Sequence, residues 1–349
     1  MRRKEKKQIP SSSVDQGFYH TGPPITDRFD REFDYLRLAV NEYCNLRCIY
    51  CMPEEGVPFK EKEKLLITNE IFKLISIMAD LGISKIRFTG GEPLLRKDLP
   101  DMVKYASSIE SIRSINLTTN GVLLNKYLKK LEHAGLTGIN ISLDTLNERK
   151  FKIISRREGL NSVLEGINNA ISSKIQSIKI NIVAMRGFND DEILDFTELT
   201  REKNITVRFI ELMPFDSRQI WKTGKFYRAE QIVKDLKSQI NELDVVSGSS
   251  TEHYVFKIKG YAGKIAVIPS YTRSLCSKCN RIRITADGKL LNCLYSHEET
   301  NIRDVIRNGY SDDRIKNLIV RSMKKKLKDG WLAQNEGKEK RGSMTQIGG

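Results

Sequence analysis

The stretch Cys44-Asn45-Leu46-Arg47-Cys48-Ile49-Tyr50-Cys51 carries three cysteines at the spacing C-x3-C-x2-C, directly after an apolar run at residues 36–40. Three thiolates on one short loop can hold three irons of a four-iron cluster and leave the fourth iron open to another ligand. A structural zinc site would instead need four tetrahedral ligands, and no histidine lies between residues 35 and 81. The spacing therefore predicts an iron–sulfur cluster with an open iron.

A second cysteine triplet, Cys276-x2-Cys279-x13-Cys293, completes the six cysteines of the chain. Disulfides are disfavoured because a cytosolic chain keeps its thiols reduced and because triplets pair awkwardly. His297 lies four residues after Cys293, so three thiolates and one imidazole could hold zinc. A second iron–sulfur cluster with its own open iron is the other interpretation. The residues alone leave these two interpretations open.

Short β-branched runs alternate with helix-like patterns through the first two thirds of the chain. The first helix begins at Thr68 and continues with Ile71, Leu74, Ile75 and Met78 at helical spacing. Such alternation predicts an α/β fold whose parallel sheet is curved into a partial (β/α)6 TIM-like barrel. The predicted strands are 35–40, 85–89, 114–119, 138–143, 177–185 and 207–212, and the later predicted helices are 97–108, 123–133, 144–173 and 189–202.

The alternation weakens after residue 215, which suggests three parts. Residues 1–30 mix basic residues with serine, glycine and proline and predict a flexible leader. A solubility tail, a docking segment and a cap on the barrel compete for its role, and the tail is favoured. Residues 31–225 would form the barrel. Residues 226–349 would form a smaller C-terminal domain that closes the barrel mouth, holds the second triplet and ends at Gly348-Gly349.

Polar and glycine residues follow the predicted strands, where the sites of parallel sheets lie. Gly90-Gly91-Glu92-Pro93 is an ordinary turn pattern when it stands alone. Beside a cluster loop, its glycines would let the backbone approach a ligand, and the Glu92 carboxylate could take an ammonium group. The other strand-end segments are 118–121, 142–144 and 211–213.

Basic residues dominate the charge of this 349-residue chain, which has a net charge of +15 and a pI near 9.4. Such a surface attracts anions. The basic runs at 2–7, 60–64 and 324–328 are interpreted as solvated. Lys179 and Arg208 differ because they lie within predicted strands of a sheet covered on both faces, so their charges must reach the barrel lumen or a strand end. With Arg37 and Arg87 they predict a site for a small polyanion rather than for nucleic acid.

Two further arginines, Arg281 and Arg283, follow Cys279 at alternating positions and would point the same way on an extended segment. Arginine forks suit phosphate oxygens, although surface decoration is the alternative. No window of the sequence is apolar enough to span a membrane. The basic N-terminus lacks the apolar core of a secretory signal, so a cytoplasmic location is predicted.

These motifs resemble those of a known family. The first triplet, with Tyr50 before its last cysteine, resembles the signature of radical S-adenosylmethionine (SAM) enzymes, and Gly90-Gly91-Glu92-Pro93 resembles their SAM-binding motif. The pattern from Cys276 to Arg283, then Cys293 and the terminal Gly348-Gly349, resembles the GTP 3′,8-cyclase (MoaA) family of molybdenum cofactor biosynthesis. This resemblance extends from residue 34 to the C-terminus.

The resemblance implies a radical SAM lyase that acts in the first step of this pathway. It would convert GTP to (8S)-3′,8-cyclo-7,8-dihydroguanosine 5′-triphosphate, using SAM and two [4Fe-4S] clusters. A radical made from SAM would take hydrogen from the ribose 3′ carbon, and the sugar radical would attack carbon 8 of guanine. An electron donor and cyclic pyranopterin monophosphate synthase, which would receive the product, are the implied partners. A homodimer is among the oligomeric states that remain open.

The resemblance also assigns roles to residues. All six cysteines would hold clusters, with the second cluster facing guanine and His297 a bystander. Cys44, Cys48, Cys51, Arg281 and Arg283 would be catalytic, and the Gly348-Gly349 tail would reach into the site. The matched SAM contacts are Tyr50, Gly91, Ser142 and Met213, and the matched GTP contacts are Arg37, Arg87, Thr118, Lys179, Arg281 and Arg283.

Two other functions compete with this one. A peptide-maturing radical SAM protein would keep the fold and use the second triplet for an auxiliary cluster, but such proteins usually carry longer, cysteine-richer C-terminal regions. A regulator that binds RNA would draw only on the basic charge. The GTP-cyclising enzyme is therefore the preferred hypothesis.

Overall fold

A curved α/β sheet organises the computed structural model, which describes residues 24–213, 225–248, 254–272, 276–335 and 343–347. The strands are β1 Ile25–Thr26, β2 Glu32–Phe33, β3 Tyr35–Asn41, β4 Lys85–Gly90, β5 Ser114–Thr119, β6 Gly138–Ser142, β7 Ser177–Ala184, β8 Thr206–Glu211, β9 Leu243–Val245, β10 Tyr254–Ile258, β11 Lys264–Ile268, β12 Arg281–Ile284, β13 Lys289–Leu291 and β14 Thr300–Asn301. The helices are α1 Thr68–Asp80, α2 Leu99–Ser107, α3 Leu124–His133, α4 Glu148–Ser155, α5 Leu160–Ile171, α6 Ile193–Glu198, α7 Ala229–Gln239, α8 Arg303–Arg307, α9 Asp312–Lys324 and α10 Gly330–Asn335.

The six predicted strands form the centre of this sheet. They are β3 to β8, they pair in chain order, and each pair is parallel. Helices cross between them, as parallel connections require. The predicted α/β class with a parallel sheet is confirmed.

Strands from the C-terminal region extend the same sheet at both sides. β12 pairs in parallel with β3, and β11 pairs in parallel with β8. Across the described residues the complete order is β14-β13-β12-β3-β4-β5-β6-β7-β8-β11-β10-β9. The C-terminal region therefore continues the barrel's sheet on both sides, and the predicted division near residue 225 stays a prediction.

Helix α1 shows why the helices lie where the sequence places them. Ile71, Leu74, Ile75 and Met78 recur along one face of the helix, and each is fully buried in the core under the sheet. Burying each such side chain contributes roughly 1.5–3 kcal/mol. Glu70 closes the first turn by accepting a hydrogen bond from the Ile67 backbone N–H at 2.9 Å.

The predicted helical region at 144–173 is two helices rather than one. α4 ends at Ser155 and is followed by Arg156, whose φ of 55° is left-handed, and α5 begins after Gly159, whose φ is 136°. A left-handed residue cannot continue a right-handed helix, so the chain turns here. The helix predicted at 189–202 is also shorter, because α6 ends at Glu198.

The end of the predicted leader has a defined structure. Residues 25–26 form β1, which pairs antiparallel with β2, and Ile25 is buried in the main core. Residues 24–30 are therefore part of the fold, a contact that a two-residue strand leaves no periodicity to reveal. Residues 1–23 and the Gly348-Gly349 tail lie outside the described residues. Within the part of the chain that the structure describes, no helix has the length and apolar character needed to cross a membrane.

Candidate active site

A cavity of about 360 Å³ lies on the concave face of the sheet, and all six cysteines line it. Alternate residues of several strands face it, among them Tyr35 and Arg37 of β3, Arg87 and Thr89 of β4, Asn181 and Val183 of β7, Arg208 and Ile210 of β8, and Arg281 and Arg283 of β12. Because side chains alternate across a strand, this two-residue period means that one face of the sheet lines the cavity. The fold thus brings together two cysteine triplets that lie more than two hundred residues apart in sequence.

The loop of the first triplet is held in place by the end of α4. The backbone N–H groups of Arg47 and Ile49 donate to the carbonyls of Ser155 and Ile154, both at 2.9 Å. The Arg156 guanidinium donates at 3.0 Å to the carbonyls of Arg47 and Met52, on either side of the last two cysteines. The left-handed turn at Arg156 therefore aims a side chain at the loop as well as ending the helix.

Two thiols of this loop, those of Cys44 and Cys48, have raised pKa values. Burial raises the pKa of Cys44 to about 12 and the pKa of Cys48 well above its ordinary value. A metal replaces the proton of such a thiol, so the donor set fits a bound cluster. Cys44 Sγ also accepts hydrogen bonds from the Leu46 backbone N–H at 3.4 Å and from the Asn120 amide at 3.8 Å. In the described residues, no three His, Cys, Asp or Glu side chains are grouped to hold a single metal ion.

The second triplet lies among cations. Burial disfavours ionisation of Cys279, but Lys326, Arg281 and Arg283 together outweigh it and lower the pKa of that thiol to about 7. Burial raises the pKa of Cys276. His297 is not among the described residues that line the cavity. The triplet therefore faces the cavity in a positively charged environment.

The four residues predicted to contact SAM, which are Tyr50, Gly91, Ser142 and Met213, all line the cavity. Tyr50 OH donates to Asp144 Oδ2 at 2.7 Å, and Asp144 Oδ1 accepts from the Val183 backbone N–H at 2.8 Å. Burial raises the pKa of Asp144 to about 6. A Cβ at Gly91 would lie 2.2 Å from the Tyr43 carbonyl oxygen, so only glycine lets β4 end against the cluster loop.

The Glu92 carboxylate, which was expected to bind a ligand's ammonium group, makes its hydrogen bonds within the protein. Its side chain is fully buried and does not occur among the described residues lining the cavity. Its carboxylate accepts from the Leu94 N–H at 2.9 Å and, at 2.7 Å each, from the Thr119 hydroxyl and the Asn120 N–H. Both oxygens are thus engaged within the protein. This carboxylate joins the ends of β4 and β5, and the expectation that it takes an ammonium group stays a prediction.

Five of the six residues predicted to contact GTP line the same cavity: Arg37, Arg87, Thr118, Arg281 and Arg283. Lys179 lies instead in a neighbouring cavity of about 150 Å³, which Arg87 also lines. Lys179 is on the same face of β7 as Asn181 and Val183 but nearer the amino end of the strand. The cationic lining therefore continues from the larger cavity toward the amino ends of the strands.

Several donors in this lining are buried without a partner. Arg37 Nε, Arg281 Nε and Thr118 Oγ1 have no hydrogen-bond partner among the described residues. A buried polar group left in this way costs about 1–3 kcal/mol. Burial, followed by the charge of Arg283, lowers the pKa of Arg37 well below its ordinary value, and burial with Arg281 lowers that of Arg283 to about 10. A bound polyanion would satisfy these donors and relieve the repulsion between the charges.

Several residues of the cavity received no individual role from sequence reasoning, among them Lys326 and Asn120. Lys326 was interpreted as part of a solvated basic run, but it is 3% exposed, lines the cavity and donates to the Asn292 carbonyl. Lys324, Lys325 and Lys328 of the same run are exposed, as predicted. Asn120 also lines the cavity and contacts Cys44. Its position at the end of β5 was a signal for it, whereas the run around Lys326 contains none.

Comparison with known families assigns most of the described chain. Residues 38–200 match the model of the radical SAM superfamily, and residues 205–331 match the model described as Molybdenum Cofactor Synthesis C. The solved structure of Streptococcus suis SuiB bound to S-adenosylmethionine is similar in fold, with a TM-score of 0.55 over 80% of this chain and 64% of that chain. At 14% identity this likeness shows the fold alone.

Curated relatives are similar over nearly the whole chain. GTP 3′,8-cyclase of Chlorobaculum tepidum is 43% identical over 93% of this chain and 97% of its own length. GTP 3′,8-cyclase of Syntrophomonas wolfei is 40% identical over 93% of this chain and 100% of its own length. Molybdenum cofactor biosynthesis protein 1 of Homo sapiens is 46% identical over 84% of this chain, which spans 46% of that protein.

Proposed function

Because the chain belongs to the GTP 3′,8-cyclase family within the radical SAM superfamily, we propose that it converts GTP to (8S)-3′,8-cyclo-7,8-dihydroguanosine 5′-triphosphate. Membership of the superfamily implies SAM and a [4Fe-4S] cluster as cofactors. The observation that carries the proposal is one cavity lined by both cysteine triplets and by Arg37, Arg281 and Arg283. A site of this kind can hold a radical source and a polyanion together.

The first triplet would hold the cluster that binds SAM. When bound, SAM and the cluster of Cys44, Cys48 and Cys51 supply the one-electron chemistry that removes a hydrogen atom from the ribose. The protein's own residues position the reactants. Tyr50, Gly91, Ser142 and Met213 line the cavity and would bind SAM, with Tyr50 held by its hydrogen bond to Asp144.

The arginines and Thr118 would bind GTP. Arg37, Arg281 and Thr118 present buried donors that lack a partner among the residues the structure describes, which suits the oxygens of a triphosphate. Lys179 and Arg87 line the neighbouring cavity and would extend the same cationic surface along the substrate. Burial of these groups keeps water from the reacting atoms and strengthens each charge contact.

The second triplet would hold a second [4Fe-4S] cluster that faces the guanine. All three of its cysteines line the cavity, and the cations beside Cys279 favour its thiolate. An electron donor would supply the reducing electron, and cyclic pyranopterin monophosphate synthase would consume the product. The cytoplasmic location stays a prediction, and a homodimer stays among the open oligomeric states.

The activity is tested with anaerobically reconstituted protein incubated with GTP, SAM and a reductant. We expect GTP to be consumed as SAM is cleaved, and the cyclised nucleotide to be identified by mass spectrometry. Cys48→Ala is the matched control, because it removes one ligand of the first triplet and should abolish both reactions. Cleavage of SAM with no loss of GTP would contradict the proposed substrate.

The substrate site is tested by Arg281→Ala. The variant loses a half-buried guanidinium of the lining whose Nε is buried, so we expect GTP to bind about 10- to 100-fold more weakly, while iron content is unchanged. Equilibrium binding of GTP to the reconstituted protein measures this. Arg321→Ala, on the exposed surface of α9, is the control that should bind GTP normally. Unchanged affinity in the Arg281 variant would remove this residue from the site.

The second cluster is tested by the iron and sulfide content of Cys293→Ala. The variant should lose the iron of one cluster and keep the spectroscopic signal of the other. Retention of all the iron would contradict the second cluster, and zinc in the unaltered protein would favour the zinc interpretation.

A further inference from the structure

We propose that Arg31, held by Asp27, is a positioning residue that fixes the second cysteine triplet in the cavity wall. Both residues belong to the short segment before β3, far from the triplet in sequence. The cluster measurements described below rest on the proposed second cluster. The geometry of the contact does not depend on it.

The Arg31 guanidinium joins three backbone carbonyls of the C-terminal region. Nη1 donates to the carbonyl of Cys276 at 2.9 Å and to that of Lys328 at 2.8 Å, and Nη2 donates to that of Leu327 at 2.7 Å. Arg31 is only 8% exposed. Charge-assisted bonds from a rigid fork define both position and angle, which a lysine ammonium on a flexible stem does not. Arg31 therefore fixes the start of the triplet against the segment that follows α9.

Asp27 holds this guanidinium in position. Its Oδ2 accepts from Arg31 Nε at 2.6 Å, and its Oδ1 accepts from the backbone N–H groups of Phe29 at 2.8 Å and Arg31 at 3.1 Å. Asp27 is 1% exposed. A buried ion pair needs further hydrogen bonds to offset its loss of water, and here each Arg31 guanidinium nitrogen and each Asp27 carboxylate oxygen makes at least one hydrogen bond. The turn between β1 and β2 is thus closed around the pair.

Residues next to Arg31 and next to the carbonyls it binds make contacts beside the other two cysteines. Lys326, directly before Leu327, donates to the carbonyl of Asn292, the residue before Cys293. Next to Cys279, the Asn280 side chain donates to Asp34 Oδ1 at 2.7 Å. The Asn280 carbonyl accepts from the Tyr35 backbone N–H at 3.3 Å. Residues 27–35 therefore hold the backbone at Cys276 and beside Cys279, and they reach Cys293 only indirectly, through the segment that contains Lys326 and Leu327.

The proposal is tested on the full-length protein reconstituted anaerobically, with Arg31→Gln, Asp27→Asn and Arg31→Lys. The readout is the ratio of the two reduced-cluster signals in electron paramagnetic resonance, together with iron per chain, and Cys293→Ala serves as the reference for a missing second cluster. We expect the second-cluster signal of Arg31→Gln to fall about 10-fold relative to the first, because supporting contacts of metal ligands contribute on this scale. Asp27→Asn should shift the ratio in the same direction by a smaller factor.

Arg28→Ala is the matched control, because Arg28 is an exposed arginine of the same turn. It should keep the ratio of the unaltered protein. A general loss of folding would lower both signals together, so the ratio separates positioning from stability. An unchanged ratio in Arg31→Gln would overturn the proposal.

If Arg31→Gln does not fold, Arg31→Lys tests whether Arg31 positions the second cysteine triplet. Lysine keeps the charge beside Asp27 but cannot reach the three carbonyls as a fork, so the second-cluster signal should still fall at least about threefold relative to the first. If the unaltered protein holds only one cluster, the second-cluster proposal fails separately. Hydrogen exchange at residues 276–284 and 326–330 then tests Arg31 in the same protein. About tenfold faster exchange in Arg31→Lys than in Arg28→Ala is expected, since lost contacts permit local opening, and equal exchange would overturn the proposal.

Discussion

The buried charge of Lys326 affects the acidity of a cysteine in this cavity. Lys326 lies two residues after the end of α9, is 3% exposed and donates to the carbonyl of the residue before Cys293. Its charge, with those of Arg281 and Arg283, outweighs burial and lowers the pKa of Cys279 to about 7. A thiolate is therefore accessible at Cys279 before any metal binds, whereas the Cys44 thiol holds its proton until a metal displaces it.

Removing this charge should raise the pKa of Cys279. In Lys326→Gln we expect it to move from about 7 toward the ordinary value of 9.0, so that less thiolate is present at neutral pH. The pH dependence of Cys279 alkylation, followed by mass spectrometry in the metal-free chain, measures the change. Lys325→Gln, which removes the exposed neighbouring charge, should keep the original midpoint. Equal midpoints in both variants would contradict the assigned cause.

At Gly91 the site requires the absence of a side chain. An added Cβ would lie 2.2 Å from the Tyr43 carbonyl oxygen and 2.6 Å from that of Glu42, both in the backbone just before Cys44. Neither contact can be relieved by rotating a flexible side chain. The end of β4 and the cluster loop can approach this closely only because residue 91 is glycine.

Gly91→Ala should therefore displace the cluster loop. We expect it to lower the free energy of unfolding by about 1–3 kcal/mol, as overpacking does, and to reduce the first-cluster signal while the second is kept. Urea unfolding and electron paramagnetic resonance measure the two effects. Gly187→Ala is the comparison, since a Cβ there meets nothing within 4 Å although its φ is 66°. A first-cluster signal equal to that of the comparison would refute the steric explanation.

At the scale of the elements, the ends of β4 and β5 are joined by one buried carboxylate. Glu92 accepts from Leu94, Thr119 and Asn120, and Asn120 in turn contacts Cys44. Burial raises the pKa of Glu92 from 4.5 to about 7, although the three donors oppose this shift. The contribution of this Glu92 contact to stability should therefore depend on pH.

The sign of this sensitivity follows from proton linkage. A carboxyl group whose pKa is raised by folding binds its proton more tightly in the folded chain, so its stabilisation is complete below about pH 4.5 and is lost as the pH rises through about 7. The full effect of such a shift is about 3 kcal/mol. Glu92→Gln cannot titrate at this position, so subtracting its free energy of unfolding from that of the unaltered chain isolates the contribution.

We expect that difference to fall by about 3 kcal/mol between about pH 4.5 and pH 8. Urea unfolding of the metal-free chain at several pH values measures it. The side-chain amide of Glu92→Gln also places its N–H group against a protein donor. The cost of that contact does not change with pH, so it does not affect how the difference in free energy of unfolding varies with pH. Parallel curves for the two proteins would show that burial does not raise the pKa of Glu92.

At the scale of the whole molecule, one sheet contains both halves of the site. β12 places Arg281 beside Tyr35 and Arg283 beside Arg37 of β3, and β11 covers the far side of β8. The barrel strands alone would leave β3 and β8 as unpaired edges, and unpaired edges are prone to pair with other chains. The C-terminal region thus completes both the site and the sheet.

A chain ending at residue 225, the predicted domain boundary, should therefore aggregate instead of folding as a monomer. Size-exclusion chromatography and circular dichroism of the truncated chain measure this. Coexpression of residues 226–349 as a separate fragment is the control, because it supplies the missing strands and should restore a soluble complex. A monomeric 1–225 chain with native helical content would show that the barrel is an independent domain.

The local features of this protein could be read from its sequence. The six central strands, the start of α1 and the cysteine loop follow from residue periodicity and spacing, which act over a few neighbouring residues. The predicted SAM contacts came from the family resemblance, and three of them, Gly91, Ser142 and Met213, also lie in the strand-end segments that the pattern indicates. Arg37 and Arg87 were predicted to line the cavity because a charged side chain within a buried strand must reach the barrel lumen or a strand end.

Tertiary structure alone decided which distant residues meet. The sequence does not distinguish buried Lys326 from exposed Lys325, nor assign Glu92 to Thr119 and Asn120 rather than to a ligand. It also does not show that Arg31 reaches Cys276 or that Arg283 lies beside Arg37. These contacts depend on how the whole sheet closes, and strand pairing between distant segments leaves no periodic signal in either one. Local pattern therefore determined the elements and the chemistry of the first loop, and long-range packing determined the shared cavity.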